Sequence, residues 1–161
     1  MKTNDPVIFV IEDNKLYNNL VVKHLNNNGF KNVFPFLSGE ASIISLLVQK
    51  PDIVIQDYYL EGMNGIEVLK KLKAKYPEAE FIFLSAQENM EVTIKSMRHG
   101  AFDYVIKDEA AMDKLIDRIN KIMAIRKLKQ NNKMLRGGLV LFFTVVLILF
   151  LILYFLFLRE A

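Results

Sequence analysis

The sequence predicts an α/β fold: a five-stranded parallel sheet, doubly wound with helices on both faces, followed by one C-terminal transmembrane helix. Three observations predict it. Short runs of β-branched and aromatic residues recur up to Lys107. Longer segments between them carry apolar residues at helical spacing. From Leu139 to Leu158 no residue is charged, and only Thr144 and Tyr154 bear a polar side-chain group. Short strands alternating with helices read as a parallel sheet covered on both sides.

The strands are expected at 7–11, 32–36, 53–57, 80–84 and 102–106. The helices are expected at 15–27, 39–49, 65–75 and 89–98, with a last helix starting near 111. Asn27-Asn28-Gly29 ends the first helix, because glycine accepts the positive φ of a helix C-terminus. Ser38 caps the second through its hydroxyl. Pro51 separates that helix from the third strand. Gly62-Met63-Asn64-Gly65 makes the loop after Asp57, and Ile66, Leu69, Leu72 and Tyr76 then recur on one helical face. Pro77 stops that helix and Gly100 closes the fourth. Met112, Leu115, Ile116, Ile119, Ile122 and Met123 form a stripe on the last helix that covers the sheet. Beyond Ile125 the pattern turns basic, as a solvated stalk that Gly137-Gly138 loosens.

The net charge of +3 conceals segregation. Residues 1–120 hold 14 basic and 17 acidic side chains, a net −3. Residues 121–136 hold Lys121, Arg126, Lys127, Lys129, Lys133 and Arg136 and no acid. A basic block beside a long apolar run reads as cytoplasmic flanking charge in preference to a nucleic-acid site. Twenty helical residues span roughly 30 Å, the thickness of a bilayer core. Eighteen of the twenty are Leu, Ile, Phe or Val. At roughly −0.3 to −0.6 kcal/mol each, insertion is favoured by at most about 5–10 kcal/mol. The N-terminus has no signal-peptide pattern, since its first apolar run is short and ends in two acids. Only Arg159-Glu160-Ala161 follows the apolar run, so no C-terminal output domain is expected. With no cysteine the chain has no disulfides, and two isolated histidines, His24 and His99, argue against structural zinc.

The candidate chemistry lies where apolar runs stop. Glu12 and Asp13 follow Val7–Ile11, Asp57 ends the third run, Ser85 follows Phe81–Leu84, and Lys107 follows Phe102–Ile106. Ligands of such sheets gather at the carboxyl ends of the strands. Three carboxylates, a hydroxyl and an ammonium brought together there suit magnesium and phosphoryl chemistry, since clustered carboxylates favour a hard divalent cation.

This order of residues resembles the receiver domain of two-component response regulators, with its flavodoxin-like sheet. The matching text is Val10–Asn14, Pro51–Asp57, Gly62–Leu69, Leu84-Ser85-Ala86 and Gly100–Lys107, covering about residues 5–125. The resemblance implies that Asp57 is the phosphoacceptor, its carboxylate attacking phosphorus to give an acyl phosphate. It implies Mg²⁺ held by Asp13, Asp57 and the backbone carbonyl of Tyr59, with Glu12 acting through water. Lys107 then serves a phosphate oxygen as a point charge. Ser85 donates to another only in the phosphorylated state, and Tyr104 follows the hydroxyl inward as a switch residue. The sequence departs from the family at Asp108 and Glu61, where proline is usual, and at Gln56, where an apolar residue is usual. Tyr59 and Gln87 occupy positions the family varies to tune autodephosphorylation.

The implied organisation is a receiver domain over 1–127, a basic juxtamembrane stalk over 128–138 and a transmembrane helix over 139–158. The implied protein is a bacterial, single-pass inner-membrane response regulator with its receiver on the cytoplasmic side. It takes phosphate from a histidine kinase or phosphotransfer protein and switches binding to a membrane partner, with no nucleic acid expected. No turnover enzyme is implied beyond self-catalysed phosphotransfer and autodephosphorylation. The alternatives are a phosphate sink or relay without output and, less well supported, a magnesium-dependent phosphohydrolase.

Overall fold

The computed structural model describes residues 5–86 and 90–160, with the side chains at 133, 136, 140, 151–158 and 160 outside that description. The elements run β1 (Ile8–Ile11), α1 (Lys15–Asn27), β2 (Val33–Phe36), α2 (Gly39–Ser45), β3 (Ile53–Asp57), α3 (Gly65–Lys75), β4 (Glu80–Ser85), α4 (Met90–Arg98), β5 (Asp103–Ile106) and α5 (Ala111–Glu160). The strands form one parallel sheet in the order β2-β1-β3-β4-β5.

Burial follows position in that order. The central strands β1, β3 and β4 are buried on both faces, which explains their nearly unbroken apolar sequences. β2 is an edge strand and tolerates Pro35, which pairs with Val10 on one side and needs no donor on the other. Phe9, Ile11, Val54, Phe81 and Phe83 share one face with Ile66, Val68, Leu69 and Leu72 of α3. The alternate residues Ile8, Val10, Ile53, Ile55, Ile82 and Leu84 are buried on the opposite face.

Two expectations need correction. α2 ends at Ser45 instead of continuing to 49. The Ser42 and Ser45 hydroxyls donate to the Gly39 and Ser42 carbonyls at 2.6 Å, drawing those carbonyls from the α-helical ladder. The chain then tightens into successive three-residue turns at Leu46, Leu47 and Val48. Lys75 Nζ and Tyr76 Oη both donate to the Leu46 carbonyl, so the early ending is held by α3 and the residue that caps it. The second correction concerns Gly137-Gly138, which do not interrupt α5.

The chain divides into two compact units, Met1–Asn120 and Lys121–Ala161. Among the described residues no helix is long and apolar enough to cross a membrane. The expected span from Leu139 to Leu158 lies within α5, but its described side chains reach only to Phe150. That described stretch advances roughly 17 Å along the axis, short of the ~30 Å a bilayer core requires.

Candidate functional site

The strand order has a switch point. The chain leaves β1 toward β2 and returns to place β3 on the other side of β1, which opens a crevice at the carboxyl ends of these two strands. Register then sets the polar residues side by side. Ile11 lies opposite Gln56, so Glu12 and Asp57 follow on adjacent rungs. Asp57 lies opposite Leu84, and Ser85 opposite Ile106, so Ser85 and Lys107 come next across the sheet.

The side chains meet there. Carboxylate oxygens of Glu12, Asp13 and Asp57 lie within 4.8 Å of one another. Lys107 Nζ donates to Glu12 Oε2 at 2.6 Å and to Asp57 Oδ2 at 2.5 Å. The other Asp57 oxygen, Oδ1, accepts the Tyr59 amide at 3.0 Å. Asp13 Oδ2 accepts the Glu61 amide at 3.2 Å, linking the acidic pair to the loop after β3. The Lys107 amide donates to the Ser85 carbonyl at 2.8 Å, which fixes the start of the lysine loop. Ser85 is fully buried, and its side chain hydrogen-bonds that of half-buried Tyr104. Gln87 lies outside the described residues.

The electrostatics follow from burial. Glu12 and Asp57 are 3 % and 8 % exposed. Burial pushes the Glu12 carboxyl above its ordinary value, although the Lys107 ammonium pulls it down. Burial alone would lower the Lys107 ammonium. Its hydrogen bonds and charge interactions with Asp57 and Glu12 outweigh that and raise it. Burial likewise raises the phenols of Tyr17 and Tyr104.

The residues fit a divalent cation. The donor set is three oxygens of hard carboxylates, clustered closely enough to share one ion. At 4.8 Å, two such charges repel by about 3.5 kcal/mol at an effective dielectric of 20. Lys107 offsets that repulsion for Glu12 and Asp57, while Asp13 remains a further negative charge beside them. Asp13 also lines a cleft of about 390 Å³ with Tyr58, Tyr59, Leu60, Glu61 and Lys95, which gives the acidic edge an open side.

Two supporting residues, Asn18 and Tyr17, escaped the sequence reading, whereas Gln56 and Gly65 did not. Asn18 of α1 is fully buried, and its Nδ2 donates to the carbonyls of Glu12 at 3.1 Å, Phe36 at 2.8 Å and Val10 at 3.5 Å. It ties α1 to the ends of β1 and β2 and fixes the peptide after Glu12. Its signal was positional: Asn18, Val21 and Leu25 share the buried stripe of α1, where a polar residue requires partners. Tyr17 places its ring 4.6 Å from Lys107 Nζ, close enough for a cation–π contact. Gln56 is buried, as its central strand demands, and Nε2 donates to the Gly65 carbonyl at 2.6 Å. Gly65 itself is dictated by space. A Cβ there would lie 2.8 Å from the Asp57 carbonyl and 2.9 Å from a Phe83 ring carbon.

Comparison with known proteins defines the class. The chain belongs to the response regulator receiver domain family, whose sequence model matches residues 8–120. It is 37% identical over 90 residues to the regulatory protein LuxO of Vibrio vulnificus, covering 56% of this chain and 19% of that protein. It is 28% identical over 128 residues to a putative NtrX-like response regulator of Rickettsia felis, covering 78% and 26%. The chain thus spans well under a third of these curated relatives. Among solved structures, NtrX from Brucella abortus in complex with ATP superimposes with a TM-score of 0.72 at 23% identity, over 79% of this chain and 29% of that one. A BeF3-activated DrrB receiver domain superimposes with a TM-score of 0.66 at 26% identity, over 73% and 96%.

The family is one of phosphoacceptor signalling in two-component systems, and its members interact with histidine kinases or phosphotransfer proteins. Receiver domains bind Mg²⁺ at the acidic pocket, and the Glu12–Asp13–Asp57 cluster is compatible with it.

Proposed function

We propose that this chain is a membrane-tethered response regulator whose Asp57 accepts a phosphoryl group from a phosphohistidine. The observation that carries the reading is the Lys107 ammonium, which bridges Glu12 and Asp57 beside Asp13 at the switch point of the sheet. Both Asp57 oxygens are engaged, Oδ1 by the Tyr59 amide and Oδ2 by Lys107. The Tyr59 amide orients the carboxylate. When a phosphoryl group enters, Lys107 transfers its hydrogen bond from Oδ2 to a phosphoryl oxygen, and the freed Oδ2 attacks phosphorus. The P–N bond to the imidazole breaks, its electron pair stays on nitrogen, and an acyl phosphate remains on Asp57. Asp13, Asp57 and the Tyr59 carbonyl would hold Mg²⁺, with Glu12 contributing through water. Bound there, the ion neutralises the charge of the phosphoryl oxygens as they approach the carboxylates.

The hydrogen bond between buried Ser85 and Tyr104 supports a switch in preference to a mere phosphate sink. Ser85 lies on the sheet edge beside Asp57, so transfer of its hydroxyl to a phosphoryl oxygen would end its bond to Tyr104. That gives phosphorylation a differential contact with two states, as any population shift requires. Met90, Ile94 and Met97 lie exposed along α4, where an output partner would find apolar surface.

The tether rests on the sequence: twenty residues without charge, preceded by six basic ones. That bias places the receiver, residues 1–127, on the cytoplasmic side of a bacterial inner membrane, with 128–138 as its juxtamembrane stalk. The test has two arms. Full-length protein in membranes is treated with a small phosphoryl donor and resolved on a phosphate-affinity gel. Wild type is expected to shift, whereas Asp57→Asn or chelated samples are not. Equal labelling of Asp57→Asn would end the assignment. Carbonate washing is expected to leave the chain in the pellet, and complete release by salt would replace the span with a peripheral attachment.

A further inference from the structure

We propose that α5 pairs with a second copy of this chain as a parallel, in-register, two-stranded coiled coil running from Ile125 to Leu156, with Asn132 setting the register. The starting point is a heptad within the basic stalk. Ile125, Leu128, Asn132, Leu135, Leu139 and Phe142 recur at alternating steps of three and four. Val146, Leu149, Leu153 and Leu156 continue the same spacing. Assigning Ile125 to position a puts Ile125, Asn132, Leu139 and Val146 at a, and Leu128, Leu135, Phe142 and Leu149 at d. Leucine-rich d positions with a single polar asparagine at a favour paired helices in fixed register.

The structure leaves the stripe exposed, as it does the other described apolar side chains of this stretch. α5 is one helix through this whole stretch, so the spacing of the sequence becomes a stripe in space. Leu128, Leu135, Leu139 and Phe142 are 64%, 67%, 56% and 61% exposed, far more than a finished apolar seam allows. Asn131, Met134, Leu135, Gly138, Leu139 and Phe142 line an open groove of about 590 Å³ along the helix. A Cβ built on Gly138 meets nothing within 4 Å, so a neighbouring helix can approach closely there.

The placement of charge along the heptad sets the direction of the pair. From Ile125 onward the basic residues before Gly137 fall at b (Arg126, Lys133), c (Lys127) and e (Lys129, Arg136), and none at a, d or g. In a parallel pair each e residue faces the g residue five earlier on its partner. Lys129 then faces Ala124 and Arg136 faces Asn131, so no like charges meet. An antiparallel pair sets e against e and brings Lys129 beside Arg136. The axis advances roughly 46 Å from Ile125 to Leu156. A contact strip about 10 Å wide over that length gives roughly 900 Å² in total, close to the ~1,000 Å² that a specific interface needs. Pairing of this kind carries both receivers at the same end and raises each one's concentration near the other.

The C-terminal half of this pairing rests on the membrane-span reading; the stalk half does not. The chain has no cysteine, so single-cysteine variants report proximity without background. Full-length Leu128→Cys, Leu135→Cys, Gln130→Cys and Lys133→Cys are oxidised in isolated membranes, and disulfide dimers are read on non-reducing gels. Cross-linking at the d positions 128 and 135 is expected to exceed that at 130 and 133 several-fold. In a second arm, Leu135→Lys added to Leu128→Cys is expected to reduce cross-linking to the level of position 130. Equal cross-linking at all four sites, or none, would overturn the pairing. Preferential cross-linking of 128 to 135 in mixed samples would overturn the parallel arrangement. Release of the chain by carbonate with the 128/135 preference intact would overturn only the span and leave the stalk coiled coil standing.

Discussion

Replacing Lys107 with methionine removes an ammonium held between two buried carboxylates while keeping most of the side chain's volume. Glu12 and Asp57 lose partners at 2.6 and 2.5 Å and remain together, with Asp13 within 4.8 Å of both. Their mutual repulsion at that separation is about 3.5 kcal/mol at an effective dielectric of 20. Removing one member of a buried ion pair typically costs ~3–5 kcal/mol, and the same range is expected here at pH 7 without divalent ions. The loss should depend on pH in a known direction. The folded-state pKa of Glu12 is already raised by burial, and two of its lowering influences come from Lys107. A raised carboxyl contributes stability that is present below its unfolded pKa and lost as pH rises through the folded one. Acidification should therefore return stability to Lys107→Met more than to wild type. The recovery is at most about 1.4 kcal/mol per pH unit for one proton. Mg²⁺ should act similarly, restoring about 2.7 kcal/mol when present at 100 times its Kd. Urea unfolding of the full chain in detergent, followed by near-ultraviolet circular dichroism of tyrosine, measures both. A variant within about 1 kcal/mol of wild type at pH 7, or a loss indifferent to both acid and Mg²⁺, would refute the charge-cluster account.

Three further outcomes are expected. Gly65→Ala forces a Cβ against the Asp57 carbonyl at 2.8 Å and the Phe83 ring at 2.9 Å. It should cost about 1–3 kcal/mol in the same unfolding assay and slow phosphorylation by displacing the Asp57 peptide. Asn18→Ala leaves the Glu12 and Phe36 carbonyls without that donor and should cost about 1–3 kcal/mol, with slower labelling of Asp57 as its kinetic counterpart. A beryllofluoride phosphoryl mimic should alter backbone hydrogen exchange in the segment from Met90 to Lys107 in wild type but not in Ser85→Ala. Changes confined to the neighbourhood of Asp57 would leave a phosphate sink as the better reading.

The sequence determined by itself whatever depends on local periodicity and chain order. The strand at 53–57 and the helices at 15–27 and 65–75 match the structure to the residue. Their apolar spacing and their caps, Asn14 and Asn64, are local properties. The candidate site was legible as five polar groups at strand ends because parallel strands gather their carboxyl ends at one edge. The early end of α2 was not legible, since it depends on serine hydroxyls competing with the backbone and on Lys75 and Tyr76 reaching Leu46 across the fold. Continuity of α5 through Gly137-Gly138 also ran against local preference: glycine weakens a helix by only about 1 kcal/mol each, which flanking leucines outweigh. Only the tertiary structure could seat Lys107 between Glu12 and Asp57 and put Asn18 beneath the Glu12 peptide. Those contacts join residues up to 95 positions apart, and their existence is set by sheet order and register, which no local stretch of sequence encodes.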